Sequence, residues 1–238
     1  MRALVVLPTY EEAANIAEVL HRLRAAVPSA DVLVVDDGSP DGTADVAKGV
    51  GHELGAVDVL RRPAKAGLGS AYRAGFDEGM QRGYEVLVEM DSDLSHDPAA
   101  LPALLGAVER GADLAIGSRY IPGGSIPRWS WSRRALSRWG NRYASAMLGL
   151  AVADATSGYR AYRVSAVAAI DLQSVRADGY GFQIEMVYRV ARSGGTVVEL
   201  PIEFVDRQRG TSKMSSTIVV EALVLVSWWA VRDRLLRR

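Results

Sequence analysis

Apolar runs rich in β-branched residues recur along the chain: ALVVL from Ala3, DVLVV from Asp31, AVDVL from Ala56, EVLVEM from Glu85 and ADLAIG from Ala112. Runs of this length and composition predict strands. The segments between them carry helical spacing. Ile16, Val19, Leu20 and Leu23 fall at i, i+3, i+4 and i+7, which places them on one helix face. Strands alternating with helices at intervals of about 27 residues predict parallel βαβ units with right-handed crossovers. The expected fold class is α/β: a Rossmann-like, mostly parallel sheet flanked by helices. The similar intervals reflect βαβ geometry, since the segments share no repeated sequence.

In such a sheet, ligands bind beyond the carboxyl ends of the strands. Four strand-end loops are therefore expected on one rim: PTYEE (Pro8–Glu12), DDGSPDGT (Asp36–Thr43), DSDLSH (Asp91–His96) and GSRY (Gly117–Tyr120). Asp91 and Asp93 stand two apart, where the apolar run ends. Two carboxylates that close repel each other unless a cation lies between them or one is protonated. Mg²⁺ or Mn²⁺ resolves the conflict, taking one or two carboxylates and completing its shell with water and substrate phosphates. Asp97, just before Pro98, reads as a helix cap.

DDGSP suits a tight turn, and Thr43 is expected to N-cap the next helix. Asp36 and Asp37 show no structural need to be paired; a carboxylate there can accept from a base N–H or a ribose hydroxyl. GLGSAYRAG (Gly67–Gly75) does not read as a dinucleotide fingerprint. Its glycine spacing is incomplete, and it lies too far from the first βα turn.

Composition narrows the classes. The chain has 238 residues, 49% hydrophobic and 24% charged, and no cysteine. Disulfide frameworks, thiol nucleophiles and zinc–thiolate sites are excluded. The apolar run in MRALVVLPTYEE is too short for a signal peptide, so a cytoplasmic placement is expected. The zero net charge hides an asymmetry. Residues 1–113 hold 19 acids and 10 bases, leaving 9 acids and 18 bases for residues 114–238. No acid lies between Asp113 and Asp154, but Arg119, Arg128, Arg133, Arg134, Arg138 and Arg142 do. A one-sign stretch points to an anionic partner: phosphate, membrane or nucleic acid. The bland alternative is a solvated helix face.

Eight motifs in order, LPTYEE, VVDDGSPDGT, GLGSAY, DSDLSHDP, GSRY, SGYR, GYGFQIEM and FVDRQRGTSKM, resemble those of dolichol- and polyprenol-phosphate mannose synthases. These are inverting family 2 glycosyltransferases of GT-A fold, and the actinobacterial polyprenol monophosphomannose synthases resemble the chain most. The resemblance spans essentially the whole chain and implies a single catalytic domain over 1–238. It implies that GDP-mannose and a polyprenyl phosphate are the substrates, with Mg²⁺ or Mn²⁺ as cofactor and no nucleic-acid partner. By that resemblance, Pro8, Tyr10, Glu12, Val35 and Asp37 hold the guanosine. Asp91, Ser92 and Asp93 hold the donor, with Asp91 and Asp93 on the metal. Arg207 and Lys213 reach the diphosphate. Arg119 touches donor and acceptor, and with Asp93 is a catalytic residue. Arg119, Arg133 and Ser137 bind the acceptor's phosphate. Some relatives carry a Gln metal ligand where this chain has Ser95, so Ser95 is left out of the metal set.

A phosphate nucleophile is already anionic and needs no general base. None is nominated, and His96 is expected to be a structural hydrogen-bonder. PRWSWSRRALSRWGNRY (Pro127–Tyr143) is expected to become helical near Ser130. Arg134, Arg138 and Arg142 then form one stripe beside Trp131, Trp139 and Tyr143. Arginine with aromatic amphipathicity marks an interfacial helix, here spanning 127–148. Residues 215–238 are expected to form a C-terminal amphipathic helix with Arg232, Arg234, Arg237 and Arg238 at lipid headgroups. Trp131, Trp139, Trp228 and Trp229 are expected at the interface. Its apolar stretch, Ile218–Val231, is too short to span a bilayer and is broken by Glu221. Peripheral attachment to the cytoplasmic membrane face, with or without a membrane-protein anchor, is the expectation.

Three rivals stand beside this reading. A polyprenyl-phosphate glucosyltransferase using UDP-glucose commonly carries added transmembrane helices. A phosphatase-like hydrolase wants Thr or Val after Asp93, where Leu94 stands. A non-catalytic lipid-binding module does not need the nucleotide-loop motifs.

Overall fold

All five predicted runs form strands: β1 (Ala3–Thr9), β2 (Asp31–Asp36), β3 (Val57–Arg61), β4 (Val86–Glu89) and β5 (Leu114–Ser118). The structure, a computed structural model, describes residues 1–206 and 216–236, without the side chains of 216–219, 234 and 236. Two further strands are present, β6 (Arg160–Arg163) and β7 (Val197–Pro201). Together they make a seven-stranded sheet in the order β3-β2-β1-β4-β6-β5-β7. The sheet is parallel except for β6, which runs antiparallel to both β4 and β5.

β6 escapes the hydrophobic pattern because its sequence, RAYR, begins and ends with arginine. Arg160 is nevertheless fully buried. Its guanidinium donates to the carbonyls of Ser157, Ala155 and Gln183, each at 2.7 Å, and to the Tyr162 hydroxyl at 3.2 Å. Burial of a charge in a central strand is tolerated because these acceptors replace its water.

The helices are α1 (Ile16–Ala26), α2 (Thr43–Leu54), α3 (Leu68–Gln81), α4 (Leu101–Glu109), α5 (Trp131–Leu148), α6 (Val164–Ala169), α7 (Gly179–Arg192) and α8 (Ser216–Leu236). Alternate strand residues feed two cores. Val5, Leu7, Val32, Val34, Val86 and Val88 pack with α1 and α4, and α1 contributes the predicted Ile16, Val19, Leu20 and Leu23. Leu4, Val6, Leu33, Val35 and Leu87 pack with α3, α7 and α8 on the other face. A two-residue strand period and helices on both faces make this division unavoidable. A Cβ on Gly75 would lie 2.4 Å from Val6 Cγ1. GLGSAYRAG thus ends in a glycine that lets α3 lie close on the sheet.

Local signals hold in part. Asp97 accepts from Ala99 N at 3.0 Å and caps a 3₁₀ turn, Pro98–Ala100, ahead of α4. Ser130 caps α5, accepting from Arg133 N at 3.3 Å. Thr43 is a correction: it is the first helical residue, and Gly42, with φ +83°, takes the cap position. Asp41 wins the competition, accepting from Thr43 N at 3.1 Å and Thr43 Oγ1 at 2.6 Å.

Helix α8 forms in the expected place, but apolar side chains outnumber the exposed Glu221 and Arg232 on its described outer face. Ala222, Val226 and Trp229 are buried, while Val220, Val224, Trp228, Val231 and Leu235 are exposed. Trp229, expected at an interface, instead stacks on Tyr188 of α7 with centroids 5.9 Å apart. A flat aromatic partner on α7 decides this, and neighbouring Trp228 points the other way. No described helix is long and apolar enough to cross a membrane.

Candidate active site

Three of the four expected strand-end loops converge on a cavity of about 390 Å³, while the GSRY loop after β5 contributes no residue to its lining. The β1 loop brings Pro8, Thr9, Tyr10 and Glu12, and the β2 loop brings Asp37. From β4 come Asp91, Ser92 and Asp93. Three contributions were not read from the sequence: Lys65 in the β3–α3 loop, Asp178 at the start of α7, and Glu221 on α8. Lys65 was findable, because the strand-end rule applies to β3 as to its neighbours. Asp178 and Glu221 gave no such signal, since one precedes α7 and the other lies within α8, far along the chain from the strand ends.

The loops are fastened to one another. Ser92 donates to Pro8 O at 2.9 Å, joining the β4 loop to β1. Asp37 accepts from Arg62 Nη1 at 2.9 Å and from Ala66 N at 3.1 Å, which fixes the loop that carries Lys65. Lys65 Nζ then lies 4.5 Å over the Tyr10 ring. Asp36 does have a structural task, contrary to the sequence expectation. It accepts from Ser39 N and Oγ and from Thr9 Oγ1, closing the DDGSP turn. Val35 does not line the cavity; its side chain is buried in the core and packs close to Gly75.

In the DSDLSH loop, Leu94 has φ +64°, an uncommon left-handed conformation for leucine. This bend lets Ser95 N return to Asp93 Oδ1 at 3.0 Å, while Asp93 still faces the cavity. Ser95 is buried and lies off the lining. His96 accepts from Asp91 N through Nδ1 at 3.3 Å and stacks on Tyr159. Burial lowers its pKa to about 4, against the pull of Asp93, so the ring is neutral at pH 7. That is a structural histidine, as expected.

Among the described residues, six carboxylates line the cavity (Glu12, Asp37, Asp91, Asp93, Asp178 and Glu221) against one lysine. An anionic diphosphate needs a cation to settle there. Asp91 and Asp93 offer hard oxygen donors side by side, which suit Mg²⁺ or Mn²⁺. No group of three or more His, Asp or Glu able to hold a metal occurs among the described residues. The remaining shell would come from substrate and water, as is usual for Mg²⁺.

The residues expected on the acceptor side lie around β5 and α5. Arg119, expected on the phosphates, is held by an acid. It is buried, and its Nε and Nη2 bind Asp154 bidentately at 2.7 Å each, with Thr156 Oγ1 at 2.9 Å. Burial alone would lower its pKa, but the Asp154 carboxylate overrides that and raises it. The acid that claims Arg119 lies 35 residues away, out of reach of any local reading. Tyr120 OH donates to Ser137 Oγ at 2.6 Å, bringing β5 to α5. Arg133 lies 3.9 Å over the Trp129 ring and pairs with Asp206 at 3.1 Å, with half its side chain exposed. Trp129, which the sequence did not single out, is buried and donates to Asp206. Arg207 and Lys213 lie outside the described residues.

A parallel sheet with one antiparallel strand and an Asp-x-Asp at its rim defines a nucleotide-sugar transferase of GT-A type. The chain belongs to glycosyl transferase family 2, whose model matches residues 4–171. It is 53% identical to an undecaprenyl-phosphate mannosyltransferase of Micrococcus luteus, over 98% of this chain and 96% of that one. It is 49% identical to a polyprenol monophosphomannose synthase of Mycolicibacterium smegmatis, over 98% and 89%. Among solved structures, glucosyl-3-phosphoglycerate synthase from Mycobacterium tuberculosis, in complex with Mn²⁺, UDP and phosphoglyceric acid, superposes with a TM-score of 0.71. That match covers 96% of this chain and 78% of the other at 18% identity, and shows the shared fold.

Proposed function

We propose that the protein transfers mannose from GDP-mannose to a polyprenyl phosphate, inverting the anomeric centre to give a β-mannosyl phosphate. The observation that carries this reading is near full-length similarity to two bacterial polyprenyl-phosphate mannosyltransferases, joined to an acidic donor cavity. The UDP-glucose alternative is not favoured, because these relatives are named for mannose transfer.

The donor's nucleoside lies along Pro8, Tyr10, Glu12 and Asp37, with its diphosphate over Asp91, Ser92 and Asp93. Asp91 and Asp93 would hold a divalent cation, which when bound would neutralise charge on the departing diphosphate. By the resemblance, Arg207 and Lys213, outside the described residues, are assigned to the same phosphates. On the acceptor side, Arg133 exchanges its exposed partner Asp206 for the incoming phosphate, and Ser137 adds a hydroxyl one turn along. Arg119 supports this edge through Asp154 and the cation–π stack with Tyr120 and Trp129. No residue has to take a proton, because a phosphate oxygen attacks. The chain's tasks are alignment and charge stabilisation.

Labelled GDP-mannose with polyprenyl phosphate is expected to yield a chloroform-soluble product. Label entering lipid only from a UDP-sugar would overturn the reading. Arg133→Ala is expected to raise the KM for polyprenyl phosphate about tenfold, the scale of one charge-assisted contact. GDP-mannose binding should stay near wild type. A large loss of donor binding with an unchanged acceptor response would place Arg133 on the wrong substrate.

The acceptor's tail stays in the bilayer, since each exposed CH₂ costs roughly 0.8 kcal/mol. The enzyme therefore meets it there, on the cytoplasmic face. Helix α5 offers Trp131 and Trp139, 82% and 53% exposed, with Arg138 and Arg142 exposed beside them. Arg134 instead donates to the carbonyls of Ile126 and Trp129. Helix α8, joined to α5 through Tyr143 and Ser227 at 2.8 Å, adds Val220, Val224 and Trp228. Co-sedimentation with anionic vesicles is expected, with partial release by salt. A Trp131→Ala/Trp139→Ala variant should bind several-fold less. Absence of binding to any vesicle by the folded protein would require a separate membrane-protein anchor.

A further inference from the structure

The indole of Trp129 lies just ahead of α5 and is clamped on three sides. The Arg133 guanidinium stacks 3.9 Å over the ring, Arg119 lies 5.8 Å from its centroid, and Phe204 meets it edge to face at 5.8 Å. Arg134 donates to the Trp129 backbone carbonyl at 3.3 Å. The residue is 7% exposed, so packing fixes the direction of its N–H. Nε1 donates to Asp206 Oδ1 at 2.8 Å. The same carboxylate receives Arg133 Nη1, at 3.1 Å to Oδ1 and 3.2 Å to Oδ2.

One neutral and one charged donor thus converge on Asp206 Oδ1. Charge-assisted donors aimed at one oxygen suit a phosphate as well as a carboxylate. The two ends of this contact differ in how freely they can change partner. The Arg133 and Asp206 side chains are 51% and 35% exposed, and an ion pair this open is held weakly. It can exchange its anion at little cost. The indole is buried, and a buried N–H left without an acceptor is unfavourable. An anion that takes Arg133 from Asp206 must therefore also serve Trp129, and a phosphate oxygen standing where Oδ1 stands meets both donors.

We propose that the Trp129 indole N–H and the Arg133 guanidinium form one two-donor pocket for the acceptor's phosphate, and that Asp206 is its resident anion, displaced when the acceptor binds. The inference rests on the reading of Arg133 as an acceptor ligand and adds Trp129 to that site as a neutral hydrogen-bond donor. A resident anion weakens every other anion at the pocket by the same factor, because each binds only to the fraction of molecules in which the pocket is open. For a half-exposed ion pair that factor is about two- to fivefold. The phosphodiester product meets the same competitor, which favours its departure.

The test is the KM for polyprenyl phosphate at saturating GDP-mannose, on the full chain. Trp129→Phe keeps an aromatic ring under Arg133 and removes the N–H. Its KM is expected to rise about tenfold or more, the scale of one hydrogen bond to a charged group. Asp206→Asn keeps an oxygen for the indole and removes the competing charge. Its KM is expected to fall about two- to fivefold. A merely structural contact would move KM the same way in both variants, so the opposite directions are the signature. No fall in KM for Asp206→Asn, or a Trp129→Phe value within twofold of wild type, would overturn the proposal. Should Trp129→Phe not fold, Asp206→Asn decides alone. An Arg133→Ala variant with unchanged acceptor KM would instead bring down the reading of Arg133, and this inference with it.

Discussion

Asp93→Asn is expected to abolish mannosyl transfer while leaving the fold intact. The Oδ1 atom of Asp93 accepts from Ser95 N, and an asparagine oxygen can accept that same hydrogen bond, so the strained turn at Leu94 survives. What is lost is one of the two charges proposed to hold the cation under the diphosphate. Metal stabilisation of a leaving group is worth several kcal/mol, so the rate should fall on the order of 10³-fold or more. Initial rates with labelled GDP-mannose, set beside thermal melts, measure both halves of the statement. Full activity of the variant in excess EDTA would end the metal assignment. The wild-type enzyme should itself lose activity in EDTA and regain it on adding Mg²⁺ or Mn²⁺.

The second large effect is on stability. Asp154→Ala leaves the Arg119 guanidinium buried without its counter-charge. Removal of one partner of a buried ion pair costs about 3–5 kcal/mol. In a chain of this size that corresponds to a fall in melting temperature of roughly 10 °C. A double variant, Arg119→Met/Asp154→Leu, should be much milder, because two apolar groups replace the pair and no charge is stranded. Urea unfolding of the three proteins distinguishes the cases; a single variant as stable as wild type would show the pair to be dispensable. The pH dependence follows from sign. Burial would raise the Asp154 pKa, but Arg119 overrides it and holds the pKa below the usual carboxylate value. The folded pKa lies below the unfolded one, so this stabilisation is complete above the unfolded value near 4. It is lost as pH falls through the depressed folded value. Asp154 therefore contributes to acid unfolding and not to any change near neutrality.

How far the chain could be read in advance depended on the range of the interactions involved. The first five strands were legible because their apolar runs are continuous and their helices carry regular spacing, both properties of a dozen neighbouring residues. The rim was legible because strand ends in a parallel sheet point one way, which by itself places Asp37, Asp91 and Asp93 together. β6 was not legible: RAYR becomes a central strand only because carbonyls at 155, 157 and 183 accept from Arg160. Arg119 was legible as a strand-end arginine, but not as one already held by Asp154. Trp228 and Trp229 are adjacent in sequence, and only the ring of Tyr188 decides that one is buried and the other exposed.

The sequence by itself determined the α/β architecture, the acidic rim and membership of a transferase family, because periodicity and ordered motifs survive without knowledge of distant contacts. Tertiary structure alone decided which charges are spoken for. Arg119, Arg160 and Asp36 are buried among partners, and Asp91 and Asp93 are turned to the cavity. The physical reason is desolvation. A charge removed from water must find its partner wherever the fold brings one, and for Arg119 that partner lies 35 residues away.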